Sequence, residues 1–199
     1  LLLVIPNRDG SKDSLVRWVA LGVSLATFAV TLVLWAGYEP ANPAFQFVER
    51  AAWIPQFGIE YYVGIDGLSL MLLVLTGFLT PIALLSGWVS VEKKVKEYSI
   101  FMLLLEASMI GVFCALDVFL FYVFWDAMLI PMYFLIGVWG YERRIYAAIK
   151  FILYTMAGSV LMLIAILWIA YYHQSVTGVP SFDLVDLYAL DIPRGLQTW

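Results

Sequence analysis

Three residues in this chain have types and settings that could do chemistry: Asp126, Glu106 and Lys150. Asp126 lies near the middle of DVFLFYVFWDAMLIPMYFLIGVW, residues 117–139, and Glu106 near the middle of the apolar run before it. An ionisable group at that depth in a bilayer is expensive, so each acid must face protein or water rather than lipid, and each is a candidate functional group. Two carboxyl groups at similar depth bind and release protons as a pair. Lys150 adds the opposite charge. The chemistry such a set can support is a proton relay through a membrane. Pro131, on the same run as Asp126, has no N–H to offer the carbonyl of Ala127, which predicts a helix kink and a polar backbone spot beside the acid.

Composition says what must position these groups. The chain is 63% hydrophobic and 13% charged, with a mean hydropathy of +0.91, against roughly 45–50% apolar and 25% charged residues in soluble domains. The apolar residues come in long runs rather than the short alternating segments of an outer-membrane barrel, so the class is an all-α integral membrane protein, a polytopic helix bundle. Residues 1–199 read as one membrane domain with five complete transmembrane helices at 18–35, 66–89, 98–116, 118–139 and 146–172. Residues 1–6, LLLVIP, read as the end of a truncated helix, and the chain as a fragment. Between the first two spans, Glu39 to Gly64 is rich in aromatic residues and predicts an interfacial loop with a hairpin ending in FGIEYYVG. Residues 173–199 read as a loop carrying Asp183, Asp186 and Asp191.

Charge sorts the loops by side. Arg8, Lys12 and Arg17 precede the first complete span, Lys93, Lys94 and Lys96 separate the second from the third, and Arg143 and Arg144 separate the fourth from the fifth. Alternate loops are mixed or acidic. By the positive-inside rule the basic loops face the cytoplasm or its equivalent, and residues 173–199 the opposite side. Glu106 then lies on a helix leaving the basic side and Asp126 on the helix returning to it. At about 1.5 Å per residue each is roughly 12 to 14 Å from its entry point, so their heights differ by about one turn. Lys150, about one turn inside the fifth span, either reaches into the bundle or snorkels to the surface. Lys150, Tyr154 and Gly158 share one helix face, and Thr155 and Ser159 add hydroxyls along the same helix.

Other polar residues have plainer readings. Asp66 and Asp117 read as helix caps, the Trp and Tyr residues as interface anchors, His173 as a solvated loop residue, and Met128 and Met132 as packing. The single Cys114 has no partner for an internal disulfide, and no CxxC or Cys/His spacing marks a metal site. With one histidine and no glycine-rich phosphate loop, the chain offers no recognisable site for a nucleotide, haem or iron–sulfur cluster.

The stretch DVFLFYVFWDAMLIPMYFLIGVWG, followed by YERRIYAAIKFILYTMAGSVLMLIAIL, closely resembles the antiporter-like subunit M family of the NADH:quinone oxidoreductases, respiratory complex I. GIDGLSLMLLVLT at Gly64–Thr76 and EASMIGVFCALD at Glu106–Asp117 support it, and MLIPMY resembles subunit M more than the sister subunits L and N or the multisubunit cation/proton antiporters. The resemblance implies a protein of fourteen helices with two inverted five-helix repeats, of which this chain would hold the end of the first helix through the sixth. It implies proton translocation driven by quinone reduction elsewhere in the complex. NADH, FMN, iron–sulfur clusters and quinone would be held by partner subunits, with no cofactor and no metal in this chain. The implied partners are the lipid bilayer and other membrane subunits, including L and N, with no nucleic acid. The implied location is the bacterial plasma (inner) membrane. In the family, the position of Asp126 is an essential glutamate that works with a lysine on the following helix, position 106 is also a glutamate, and Lys150 matches a lysine on the sixth helix.

Here the chain departs from the family pattern. Aspartate at 126 is shorter than glutamate by one methylene, about 1.5 Å of reach. Charge and proton binding survive. Either water bridges the gap, or Glu106 takes over part of the role, or translocation is weakened. Two further readings stay open: a cation/proton antiporter subunit using the same acids, and a membrane scaffold with a degenerate relay.

Overall fold

The computed structural model describes residues 12–193 together with Leu2. The expectations for residues 1–6, apart from Leu2, and for residues 194–199 lie outside the described residues. Among the described residues, five helices are long and apolar enough to cross a membrane: α1 (Asp13–Gly37), α2 (Gly67–Ser90), α3 (Val95–Cys114), α4 (Val118–Trp139) and α5 (Arg144–Thr177). The chain is therefore a helical membrane protein. Between α1 and α2 lies an antiparallel hairpin, β1 (Gln46–Ile54) and β2 (Ile59–Ile65), and after α5 comes a short helix, α6 (Leu184–Tyr188).

Local chemistry sets the helix ends. The Asp66 carboxylate accepts from the Ser69 N–H at 2.7 Å and caps α2, while Asp117 accepts from the N–H groups of Phe119 and Leu120 and caps α4. Helices α1 and α5 extend at both ends beyond the apolar spans expected for them, and α3 starts three residues before its span, because helical bonding continues into polar residues that hydropathy excludes; α3 stops two residues short of its expected end, at Cys114. The difference is largest at α5, which runs past Tyr172 to Thr177 and stops where Gly178 adopts φ 80°. His173 is consequently a helical residue, not a solvated loop residue. It is buried, with Nδ1 3.0 Å from the Val179 carbonyl oxygen.

α1, α2 and α3 pack on one another, α4 packs on α3, and α5 packs on α4. α1 and α2 approach closely at Gly77, where an added Cβ would lie 3.1 Å from the Phe28 Cα; small residues permit such backbone contact inside a membrane. α5 is the outermost helix, with only 6% of its apolar window covered by the rest of the chain.

The two ends of the bundle are tied differently. At the basic end, the Arg17 guanidinium donates to the Val91 carbonyl at 2.8 Å and lies 5.9 Å from the Trp88 ring centroid, and the Trp139 indole donates to the Lys93 carbonyl. At the other end, the hairpin, the α3–α4 connection and the tail before α6 are laced together by backbone bonds. Leu116 N–H donates to Tyr62 O, Leu184 N–H to Leu116 O, and Val118 N–H to Phe182 O. Gly58 turns the hairpin at φ 68°, and an added Cβ there would strike the Pro180 carbonyl, so this position requires glycine for both conformation and space.

Candidate functional site

α4 is the centre of the site because it packs between α3, which carries Glu106, and α5, which carries Lys150 and Ser159. The α3–α4 register is fixed by two contacts. Gly111 lies against Phe124, and the rings of Phe101 and Phe134 stack with centroids 4.7 Å apart. Midway between them, that antiparallel register brings Glu106 opposite Leu129. Asp126 is three residues from Leu129, about 4.5 Å along the axis and some 60° around the helix. Glu106 on α3 and Asp126 on α4 thus occupy neighbouring levels, with Asp126 on the face of α4 next to the one that meets Glu106.

Their surroundings differ. Glu106 is 3% exposed, and its Oε1 has no hydrogen-bond partner among the described residues. A buried carboxyl oxygen without a partner costs about 1–3 kcal/mol unless water or a proton reaches it. Asp126 is half-buried, and its Oδ1 accepts a hydrogen bond from the Ser159 hydroxyl on α5. The Tyr122 hydroxyl, one turn earlier on α4, interacts with both Asp126 and Ser159. Pro131 is fully buried, and α4 continues through it.

Lys150 is not brought to these acids. It precedes Ser159 by nine residues, which at about 100° per residue puts it on the opposite face of α5. It is exposed, with Nζ 5.8 Å from the Tyr146 ring centroid. Tyr154 and Gly158 share that outward face, and Tyr154 is 83% exposed. The face shared by Lys150, Tyr154 and Gly158 points away from α4, and the polar residue that reaches Asp126 is Ser159 instead.

Tyr122 does not stand out in the sequence as a site residue, and Ser159 stands out only as one of the hydroxyls along α5. Their signals were spacing signals. Tyr122 lies at i−4 from Asp126, on the same face. Ser159 lies midway between Ala148 and Ala170, the two buried small residues eleven positions to either side of it.

The profile of the family described as NADH:quinone oxidoreductase/Mrp antiporter, TM, matches residues 115–195. NADH-quinone oxidoreductase subunit M of Rhodobacter capsulatus is 50% identical over 195 residues, which cover 98% of this chain and 36% of that protein. NADH-ubiquinone oxidoreductase chain 4 of Marchantia polymorpha is 47% identical over 200 residues, covering 100% of this chain and 39% of its own length. The chain thus spans little more than a third of the length of these curated relatives. A chain of respiratory complex I from Thermus thermophilus with bound NADH superposes with a TM-score of 0.78 at 27% identity, covering 97% of this chain and 37% of that one. The Mrp complex from Dietzia sp. DQ12-45-1b shares the fold, at TM-score 0.71 and 22% identity over 87% of this chain and 32% of that one.

Proposed function

Because the chain belongs to the antiporter-like subunit M family of NADH-quinone oxidoreductases, we propose that it is part of a proton-translocating membrane subunit of such an enzyme. The observation that carries this reading is the placement of Asp126. Its carboxylate is held at mid-depth of α4 against a hydroxyl of α5, with buried Glu106 at a neighbouring level on α3. Protons cross by passing between Glu106 and Asp126 as the hydration of the site changes. Pro131 supplies the flexible backbone beside Asp126, and Lys150, facing outward, carries the path toward helices beyond α5. The chain supplies no redox group; NADH, FMN, iron–sulfur clusters and quinone act in partner subunits. The sister subunits L and N are its neighbours in the membrane domain. The basic loops at Lys93 and Arg143 face the cytoplasm of a bacterium whose inner membrane holds the complex.

The test is NADH-driven proton uptake in membrane vesicles carrying the full-length protein with Asp126→Asn, with quinone reduction followed in the same vesicles. Asparagine keeps the size and removes the titratable proton. The expected result is loss of both activities with assembly intact. Retention of both would reject the relay. The fold shared with the Mrp complex motivates one further arm, sodium- or potassium-driven proton exchange without NADH. Exchange there, coupled to no quinone reduction, would favour the antiporter reading.

A further inference from the structure

We propose that Ser159 is a positioning residue of the relay, its hydroxyl extending the short Asp126 side chain toward α5. This inference rests on the relay reading above.

The geometry begins with the register of α4 against α5. Gly137 of α4 meets Ala148 of α5, where an added Cβ would lie 3.6 Å from the alanine Cβ. Eleven residues back along α4 is Asp126, and eleven forward along α5 is Ser159, three helical turns in each direction. The same antiparallel register therefore joins both pairs. A further eleven residues along α5 is Ala170, buried against Ile59 and Phe182. His173 near its end apart, Ala148, Ser159 and Ala170 are the buried residues of α5. They are small, which lets the two backbones approach. Only the central one carries a polar group, and it stands opposite the acid.

Burial gives this group its significance. Ser159 is 4% exposed on the helix that is otherwise the least covered of the five. A serine hydroxyl in a helix commonly bonds back to its own backbone, as the Thr155 hydroxyl does to Phe151 O at 2.7 Å. Ser159 bonds across to Asp126 instead. A hydroxyl both donates and accepts, so it can fix the carboxylate's orientation and hand a proton onward, which a methyl group cannot do. The serine oxygen lies one hydrogen bond, about 2.7 Å, beyond the carboxylate oxygen, so the pair reaches at least as far toward α5 as an acid longer by one methylene, about 1.5 Å. Tyr122, beside both, bounds the seat on the α4 side.

The prediction is a compensation pattern, measured as the rate of NADH-driven proton uptake by the assembled complex in vesicles, normalised to the amount of complex. Ser159→Ala lowers uptake about tenfold, the effect of losing one hydrogen bond to a charged group. Ser159→Thr, which keeps the hydroxyl, retains uptake. Asp126→Glu/Ser159→Ala recovers it, because the longer acid no longer needs the extension. Unchanged uptake in Ser159→Ala overturns the proposal. Failure of both Ser159→Thr and the double variant also overturns it, since packing and not the hydroxyl would then be at stake. Where Ser159→Ala does not assemble, an assembled double variant that pumps supports the role, and one that assembles without pumping overturns it. Asp126→Asn, run alongside, separates the two levels. Full uptake in that variant removes the relay reading itself, whereas its loss together with normal uptake in Ser159→Ala removes only the role given to Ser159.

Discussion

Gly111 of α3 and Phe124 of α4 meet so closely that a Cβ added to the glycine would lie no more than 2.6 Å from three atoms of the phenyl ring. This contact holds one end of the register that brings Glu106 to the level of Leu129. Gly111→Ala must move the ring or part the helices, an overpacking cost of about 1–3 kcal/mol. We expect the variant complex to melt at lower temperature and to take up protons more slowly, by displacement of Glu106 and not by loss of any titratable group. Thermal unfolding of the purified complex, read beside proton uptake, checks both.

Asp126→Glu is expected to retain proton translocation. Both side chains bind a proton, and the site opposite is a single rotatable hydroxyl that can yield to a longer acid. Comparison of NADH-driven uptake in vesicles with that of the unaltered protein checks this. A large loss would mean that the seat is built around the shorter carboxyl.

How much of this was legible in the sequence differs by element. Five membrane helices were, because long apolar runs have one solution in lipid. The caps Asp66 and Asp117 were legible from their positions before apolar runs, and the hairpin from its aromatic, turn-bounded pattern. The end of α5 was not, because His173, Gln174 and Ser175 are polar and the helix continues through them on backbone bonds and a glycine cap. The site was legible in its acids and not in their partners. Hydropathy finds a buried charge because the charge is costly, but a buried serine costs little and leaves no such mark. Lys150 gives the converse case: helical spacing alone grouped it correctly with Tyr154 and Gly158, yet spacing cannot say which face of α5 meets α4.

Asp117 is expected to hold three elements at once. Its carboxylate, 1% exposed, accepts from Phe119 N–H and Leu120 N–H at the start of α4 and from Glu60 N–H of β2. Asp117→Ala removes all three and loosens the hairpin as well as the cap, at about 0.5–2 kcal/mol for the cap alone. Asp117→Asn keeps two acceptor bonds and presents an amide donor to a third donor, so it falls between. Burial pushes this carboxyl above its usual value of 3.8, with the backbone donors opposing the shift. The folded chain therefore binds this proton more readily than the unfolded one. Its contribution to stability is greatest at low pH and falls as pH rises from about the usual value through the raised one. Hydrogen exchange of the hairpin peptide in the intact complex, compared between the unaltered protein and Asp117→Asn across that window, checks the sign: only the unaltered protein should exchange faster as pH rises, after correction for intrinsic rates.

Arg50 is expected to clamp the hairpin to the tail. From β1 its guanidinium pairs with Glu60 of β2 and with Asp183 at 3.2 Å, and it lies 4.7 Å from the Tyr62 ring centroid. The carboxylate of Glu60 strengthens its hold on the proton, so the positive charge persists across the whole working pH range. Exposed ion pairs contribute about 0–1 kcal/mol, and the Arg50 side chain is 50% exposed. The Asp183 side chain, however, is only 8% exposed and caps α6 through the Val185 N–H, so removing its cation leaves a nearly buried carboxylate without its counter-charge. Arg50→Ala should therefore speed hydrogen exchange more in 182–188 than in 46–65, although the substitution is in the hairpin. Arg50→Lys should protect less well than arginine, because a single ammonium cannot serve both carboxylates and the ring in one fixed geometry. High salt supplies the control. At about 1 M the Debye length is near 3 Å, and exchange at the exposed Glu60 contact should approach that of Arg50→Ala while the Asp183 contact resists. Equal exchange in the two segments at every salt concentration would show that the hairpin and the tail are held by their backbone bonds alone.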